Sequence, residues 1–169
     1  TVADAGCRVF IVHARNAVLK GLSPKENREV PPLRYDVVRR LRADFPALVF
    51  VLNGGIASAQ QCRDLLDEPA ATAPHGVMLG RAAYHDSYVL AQAEHALYGT
   101  PLPSREQVVA RMIDYLAGEI AATREQPFHT RVRDVSRHLL GLYSGQVGGK
   151  AWRRMLSDPH LLNDNDPAL

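Results

Sequence analysis

Cysteine is scarce: Cys7 and Cys62 are the only two in 169 residues. That excludes a disulfide scaffold and fits a reducing compartment, so a cytoplasmic protein is expected. No Cys/His set has zinc-ligand spacing, and no metal is expected. Long hydrophobic runs are also missing. Nothing approaches the roughly 18 apolar residues of a membrane span, so no membrane association is expected. The opening TVADAGC lacks the basic head and cleavage-type tail of a signal peptide. It reads as the last turn of a helix before a strand. Internal repeats, low-complexity tracts, a nucleophile triad and a convincing acid pair are absent too. Acidic charge is locally scarce. Residues 127–156 hold six Lys/Arg against Asp134 alone, a net +5 inside a chain of net +2. Such a basic stretch points to an anionic partner such as nucleic acid, or more plainly to a basic solvated face.

What is present is a core. Apolar residues make up 46% of the chain, ample for one domain or slightly more. Three apolar runs stop at polar or glycine clusters: VFIVHAR at 9–15, LVFVLNGG at 48–55 and GVMLGRA at 76–82. Short, β-branched and without alternation, they read as parallel strands buried on both faces. A long loop, 16–33, follows the first. Loops of that length are functional or disordered. Helices are expected near 35–45, 58–67 and 83–97, the second opened by a Ser58/Gln61 capping box. The segment 99–103 is the best domain boundary. Beyond it the pattern is helical only: a Ser104/Gln107 capping box opens one helix, and two more are expected near 129–143 and 149–156. The polar tail, 163–169, is expected to fray. Three βα units cannot close an eight-stranded barrel. The reading is therefore α/β: the C-terminal portion of a (β/α)8 barrel at 1–99, followed by a small all-α helical domain at 100–169. A small flavodoxin-like piece is the other option.

Polar and glycine residues at three successive strand ends suggest one ligand site. His13 can donate to a ring carbonyl or nitrogen, and Arg15 can face a phosphate. Asn53-Gly54-Gly55 lets backbone N–H groups approach an anion, or is only a tight turn. Gly80-Arg81 places a bare backbone and a guanidinium fork together at a helix start. Lys25 and Arg28 sit in a loop that could act as a lid. Lys150 and Arg153 share a helix face at i,i+3, beside Trp152, which reads as a core anchor rather than a stacking platform. Neither cysteine is at a strand end, and both read as structural.

VHAR, LKGLSPKENREVPPL, NGGI, GVMLGRAAY and HLLGLYSGQVGGKAWRRML together resemble the bacterial tRNA-dihydrouridine synthases of the A-type subfamily, over almost the whole chain. The resemblance implies an FMN-binding TIM barrel with a helical tRNA-binding domain. It implies an FMN-dependent oxidoreductase that reduces the C5–C6 double bond of uridine in the tRNA D-loop, near position 20, with NADPH as reductant. His13, Asn53, Gly54, Gly55, Gly80 and Arg81 match FMN contacts of that family. Lys25, Arg28, Lys150 and Arg153 match its tRNA-contacting positions. By the same resemblance this chain corresponds to about strands six to eight plus the helical domain. The catalytic cysteine is expected upstream of it, and the full-length enzyme is expected to be a monomer. A non-catalytic RNA-binding fragment is the rival reading. A different phosphate-binding barrel is disfavoured by GLSPKENR and AWRRML.

Overall fold

Short segments rich in Val, Phe and Ile, each closed by a turn, have too few residues for a helix and pair as strands. A computed structural model describes residues 2–168. In it β1 (Val9–His13), β2 (Val49–Asn53) and β3 (Gly76–Met78) form a parallel sheet in the order β1-β2-β3. Helices α1 (Pro24–Asn27) and α2 (Tyr35–Asp44) lie between β1 and β2 in the chain, and α3 (Ala59–Leu66) between β2 and β3. The coarse expectation of an α/β architecture with parallel strands is met.

One expectation is corrected. The strands are not buried on both faces: β1 alternates, with Val9 56% and Ile11 60% exposed. Register explains which face is which. Phe10 pairs with Phe50 and Val12 with Leu52, and these residues point to the side packed by helices. There Phe10 and Phe50 stack at 5.7 Å, and Val38, Leu52, Cys62 and Leu65 are buried. Val9, Ile11 and His13 alternate to the opposite face, beside Val49, Val51 and Asn53. Alternation appears because one layer of helices covers one face of a three-stranded sheet.

The connection from 68 to 75 is loop, as expected, and well tied. Arg39 makes a two-pronged ion pair with Glu68. His75 donates its backbone N–H to Phe50 O at 2.8 Å, and its Nδ1 accepts from Phe50 N at 3.1 Å.

The chain divides into two compact units, Thr1–Arg81 and Ala82–Leu169. The boundary read at 99–103 falls later than this division, because the helix before Gly99 clusters with the helices after it. The second unit differs from its pattern reading in three places. The helix expected at 83–97 is two, α4 (Arg81–His85) and α5 (Tyr88–Tyr98), broken where Asp86 turns its carboxylate to the Tyr88 N–H. After α6 (Arg105–Thr123), the helix expected at 129–143 shrinks to α7 (Val132–Ser136). Tight turns follow it, because Gly141 lies against the His85 carbonyl: a β-carbon there would sit 2.2 Å from that oxygen. α8 (Gly149–Met155) and α9 (Pro159–Leu162) complete the unit. The tail is anchored rather than frayed, since Asn165 Oδ1 accepts from Val132 N at 2.8 Å. Leu169 lies outside the described residues. Among the described residues no helix is long and apolar enough to cross a membrane.

Candidate functional site

Parallel register aligns the strand ends. His13 pairs with Asn53, and Asn53 with Met78, so the open face of the sheet finishes in these three side chains. The chain then turns sharply. Gly54 has φ +128° and Gly55 φ +69°, values that L side chains rarely adopt. A β-carbon on Gly55 would lie 2.6 Å from Leu33 Cδ1; one on Gly54 would lie 3.6 Å from His13 Cε1. The turn is held by Ala14 N donating to Asn53 O at 2.7 Å and Tyr35 Oη donating to Gly54 O at 2.6 Å. Burial pushes the Tyr35 hydroxyl above the usual phenol range, partly offset by Arg15 and Arg39. It stays a donor.

Gly80 contrasts with this pair. Its φ is unremarkable and a β-carbon there would meet nothing within 4 Å. The protein's own packing does not call for glycine at this point; the bare backbone leaves open space next to Arg81. That space suits a phosphate, whose oxygens need close approach to backbone N–H groups. Arg81 itself reaches into the long loop. Its Nη1 is 2.6 Å from Glu29 Oε1, and Nη2 donates to Arg28 O at 3.2 Å. A guanidinium has five donors, so these two contacts leave capacity for an anion.

The loop 16–33 is ordered by its own side chains. Ser23 and Glu26 form a capping box around α1, with Pro24 at its first turn. Asn27 Oδ1 accepts from Val18 N at 2.7 Å, while its Nδ2 donates to Val18 O at 3.0 Å. Arg15 does not turn to a phosphate; its Nη1 donates to the carbonyls of Pro31 and, at 3.4 Å, Glu29. Arg15 is thus a loop anchor. Lys25 and Arg28, on α1 and just after it, are exposed, as their proposed contact role requires.

In the second unit α8 exposes Lys150, Arg153 and Arg154 and turns Trp152 inward. Trp152 Nε1 donates to Leu139 O at 2.8 Å and its ring lies 4.9 Å from that of Tyr143. The core-anchor reading of Trp152 holds. Cys62 is fully buried, with its thiol pushed up by desolvation, and Cys7 donates to Val9 O. Neither is placed for chemistry.

The structure therefore gathers His13, Asn53, Gly54, Gly55, Gly80 and Arg81 in the first unit, at or just past the strand ends. Lys25 and Arg28 lie in that unit, and Lys150 and Arg153 in the second. Sequence reasoning missed Glu29, Leu33 and Tyr35. Their partners lie 52, 22 and 19 residues away, beyond any local pattern.

The dihydrouridine synthase family matches residues 1–168. The chain is 48% identical to a tRNA-dihydrouridine(20/20a) synthase of Pseudomonas syringae pv. tomato, over 93% of this chain and 44% of that protein. A namesake from Pseudomonas aeruginosa is 46% identical over 96% of this chain and 47% of its own length. One from Synechocystis is 44% identical over 99% and 48%. The chain spans just under half the length of these relatives.

Proposed function

This chain belongs to the dihydrouridine synthase family, and on that premise we propose that it is part of an FMN-dependent tRNA-dihydrouridine synthase. Its place in that enzyme is the last portion of the TIM barrel, residues 1–99, with the helical tRNA-binding domain at 100–169. The enzyme is a cytoplasmic monomer whose substrate is uridine in the tRNA D-loop near position 20. The observation that carries the reading is the unfilled space at Gly80 beside Arg81, next in sequence to the end of a sheet whose other strands finish in His13 and Asn53-Gly54-Gly55.

These residues fit FMN. The N–H groups around Gly80 and Gly54-Gly55, with the Arg81 guanidinium, would hold its phosphate. His13 would donate to the ring system. When bound, FMN supplies the hydride that reduces the C5–C6 bond of uridine, after its own reduction by NADPH. The chain's other task is to hold RNA. Lys25, Arg28, Lys150 and Arg153 are exposed cations suited to tRNA phosphates. The target base must leave its stack to be reduced, so backbone contacts on either side of it hold the opened strand. The proton donor of the family, a cysteine, is assigned outside these 169 residues, since Cys7 and Cys62 are occupied structurally.

Titrating FMN into the purified chain tests this through the visible spectrum. Perturbed flavin bands and a saturable isotherm are expected, weakened in Arg81→Ala. A chain that ignores FMN sinks the cradle assignment. It would favour the second reading, a non-catalytic RNA-binding piece, to which the buried and occupied cysteines also point.

A further inference from the structure

Tyr84 is 61% exposed, yet it is held in place. The His138 ring lies roughly perpendicular to it, with centroids 5.6 Å apart and planes at 81°. His138 is itself oriented, because its Nε2 accepts from Arg137 Nε at 3.3 Å. The backbone fixes the arrangement. Gly141 allows the turns after α7 to lie on the end of α4; any side chain there would strike the His85 carbonyl. This is what places His138 beside Tyr84. All of these residues belong to the second unit, whose segment 127–156 carries the net charge of +5.

An exposed aromatic ring held by a neighbouring ring keeps open surface, and the basic Arg137 adjoins the histidine that holds it. That is the chemistry of single-stranded RNA recognition, in which a splayed base stacks on a ring while guanidinium groups hold the flanking phosphates. We infer that Tyr84, oriented by His138, is a stacking platform for an unpaired base of the RNA, and that Arg137 serves the adjoining backbone. The inference rests on the proposed function and adds to it a base contact distinct from the four lysine and arginine phosphate contacts. Stacking is sequence-tolerant, so the platform contributes affinity and orientation rather than choice of base.

The contribution of a neutral ring is separable from that of charge. Losing a phosphate contact lowers the salt dependence of binding by about one unit of log–log slope, whereas losing a stacking face does not. The experiment measures binding of an in vitro transcribed tRNA to the purified chain at several salt concentrations, with near-UV circular dichroism to confirm folding. Tyr84→Ala is expected to weaken binding roughly 5- to 100-fold with an unchanged slope. Tyr84→Phe, which keeps the ring, should stay within about twofold. Lys150→Ala provides the contrast, with a slope lower by about one unit. If the unsubstituted chain binds and Tyr84→Ala binds equally well, the platform is wrong while the proposed function stands. If Tyr84→Phe is as weak as Tyr84→Ala, the hydroxyl acts and not the face, which also overturns it. Failure of the unsubstituted chain to bind tRNA would sink the RNA reading itself, and the platform with it.

Discussion

Glycines at strand ends have two distinct causes here, and substitution separates them. Gly55 is required by its backbone: φ is +69° and Leu33 closes the space. Gly55→Ala is expected to lower stability by about 1–2 kcal/mol, the cost of an L residue in the left-handed region, with the Leu33 side chain forced to shift. Gly80 is under no such constraint. Gly80→Ala should leave the melting temperature within a degree or so but weaken FMN binding, because the new methyl enters the space assigned to phosphate. If Gly80→Ala binds FMN as the parent does, that space is not the phosphate site. The chain alone presented Asn53-Gly54-Gly55 as either turn or cradle and Gly80-Arg81 as a bare backbone at a helix start. It could not divide them, because Leu33 reaches Gly55 only through the fold. Glu29 was illegible for the same reason. Its carboxylate neutralises Arg81 across 52 residues, with both side chains about half exposed (44% and 52%). Such a pair is worth at most about 1 kcal/mol, and it competes with any phosphate for the same guanidinium. Glu29→Gln is therefore expected to tighten FMN binding up to about fivefold in a fluorescence titration. Weaker binding would mean that Glu29 orients Arg81 rather than competing for it.

At the level of elements, locally coded features were readable and those set by distant contacts were not. The Ser104/Gln107 box forms as expected, with both reciprocal bonds. Ser58 caps Gln61 N, but Gln61 turns its own carbonyl to Ala57 N instead. The loop 16–33 showed its length and prolines but not its ordered interior. Its box at Ser23/Glu26 has no apolar periodicity after it, so the sequence pattern marks no helix there. That box has a pH signature. The Ser23 hydroxyl, and then its backbone N–H, hold the Glu26 carboxyl below its usual value of 4.5. A folded-state pKa below the unfolded one gives order that is complete above the unfolded value and is lost as pH falls through the folded one. Amide exchange in α1, corrected for intrinsic rates, should accelerate as pH falls below the usual carboxyl value of 4.5. Glu26→Gln, which cannot ionise, should remove that dependence. A pH-independent protection pattern in the unsubstituted chain would mean that Asn27 and Arg15 alone order the loop. The α7 region erred the other way: an apolar pattern suited to a long helix was cut short by the contact of Gly141 with His85.

For the whole molecule, the alternation of β1 is the informative feature. Its sequence reads as doubly buried, yet Val9 and Ile11 are more than half exposed. A run with that composition is suited to a strand covered on both sides, and among the described residues only one side is covered. β1 is also an edge strand of the sheet among the described residues, paired only with β2. An apolar face meeting an open edge is a template for pairing with more sheet. In the 169-residue chain the available sheet is another copy. The purified chain is therefore expected to associate with rising concentration in sedimentation velocity runs. Ile11→Lys should suppress that association by placing a charge on the open face, and it should leave the melting temperature of the dilute protein nearly unchanged, because Ile11 packs against little in the isolated chain. Equal association of Ile11→Lys and its parent would move the adhesive surface away from β1. A large loss of stability would mean that Ile11 is covered in solution. If association falls while FMN binding is retained, the open face and the strand-end cradle act separately, as expected for a face that is apolar at Val9, Ile11, Val49 and Val51 and turns polar at His13 and Asn53.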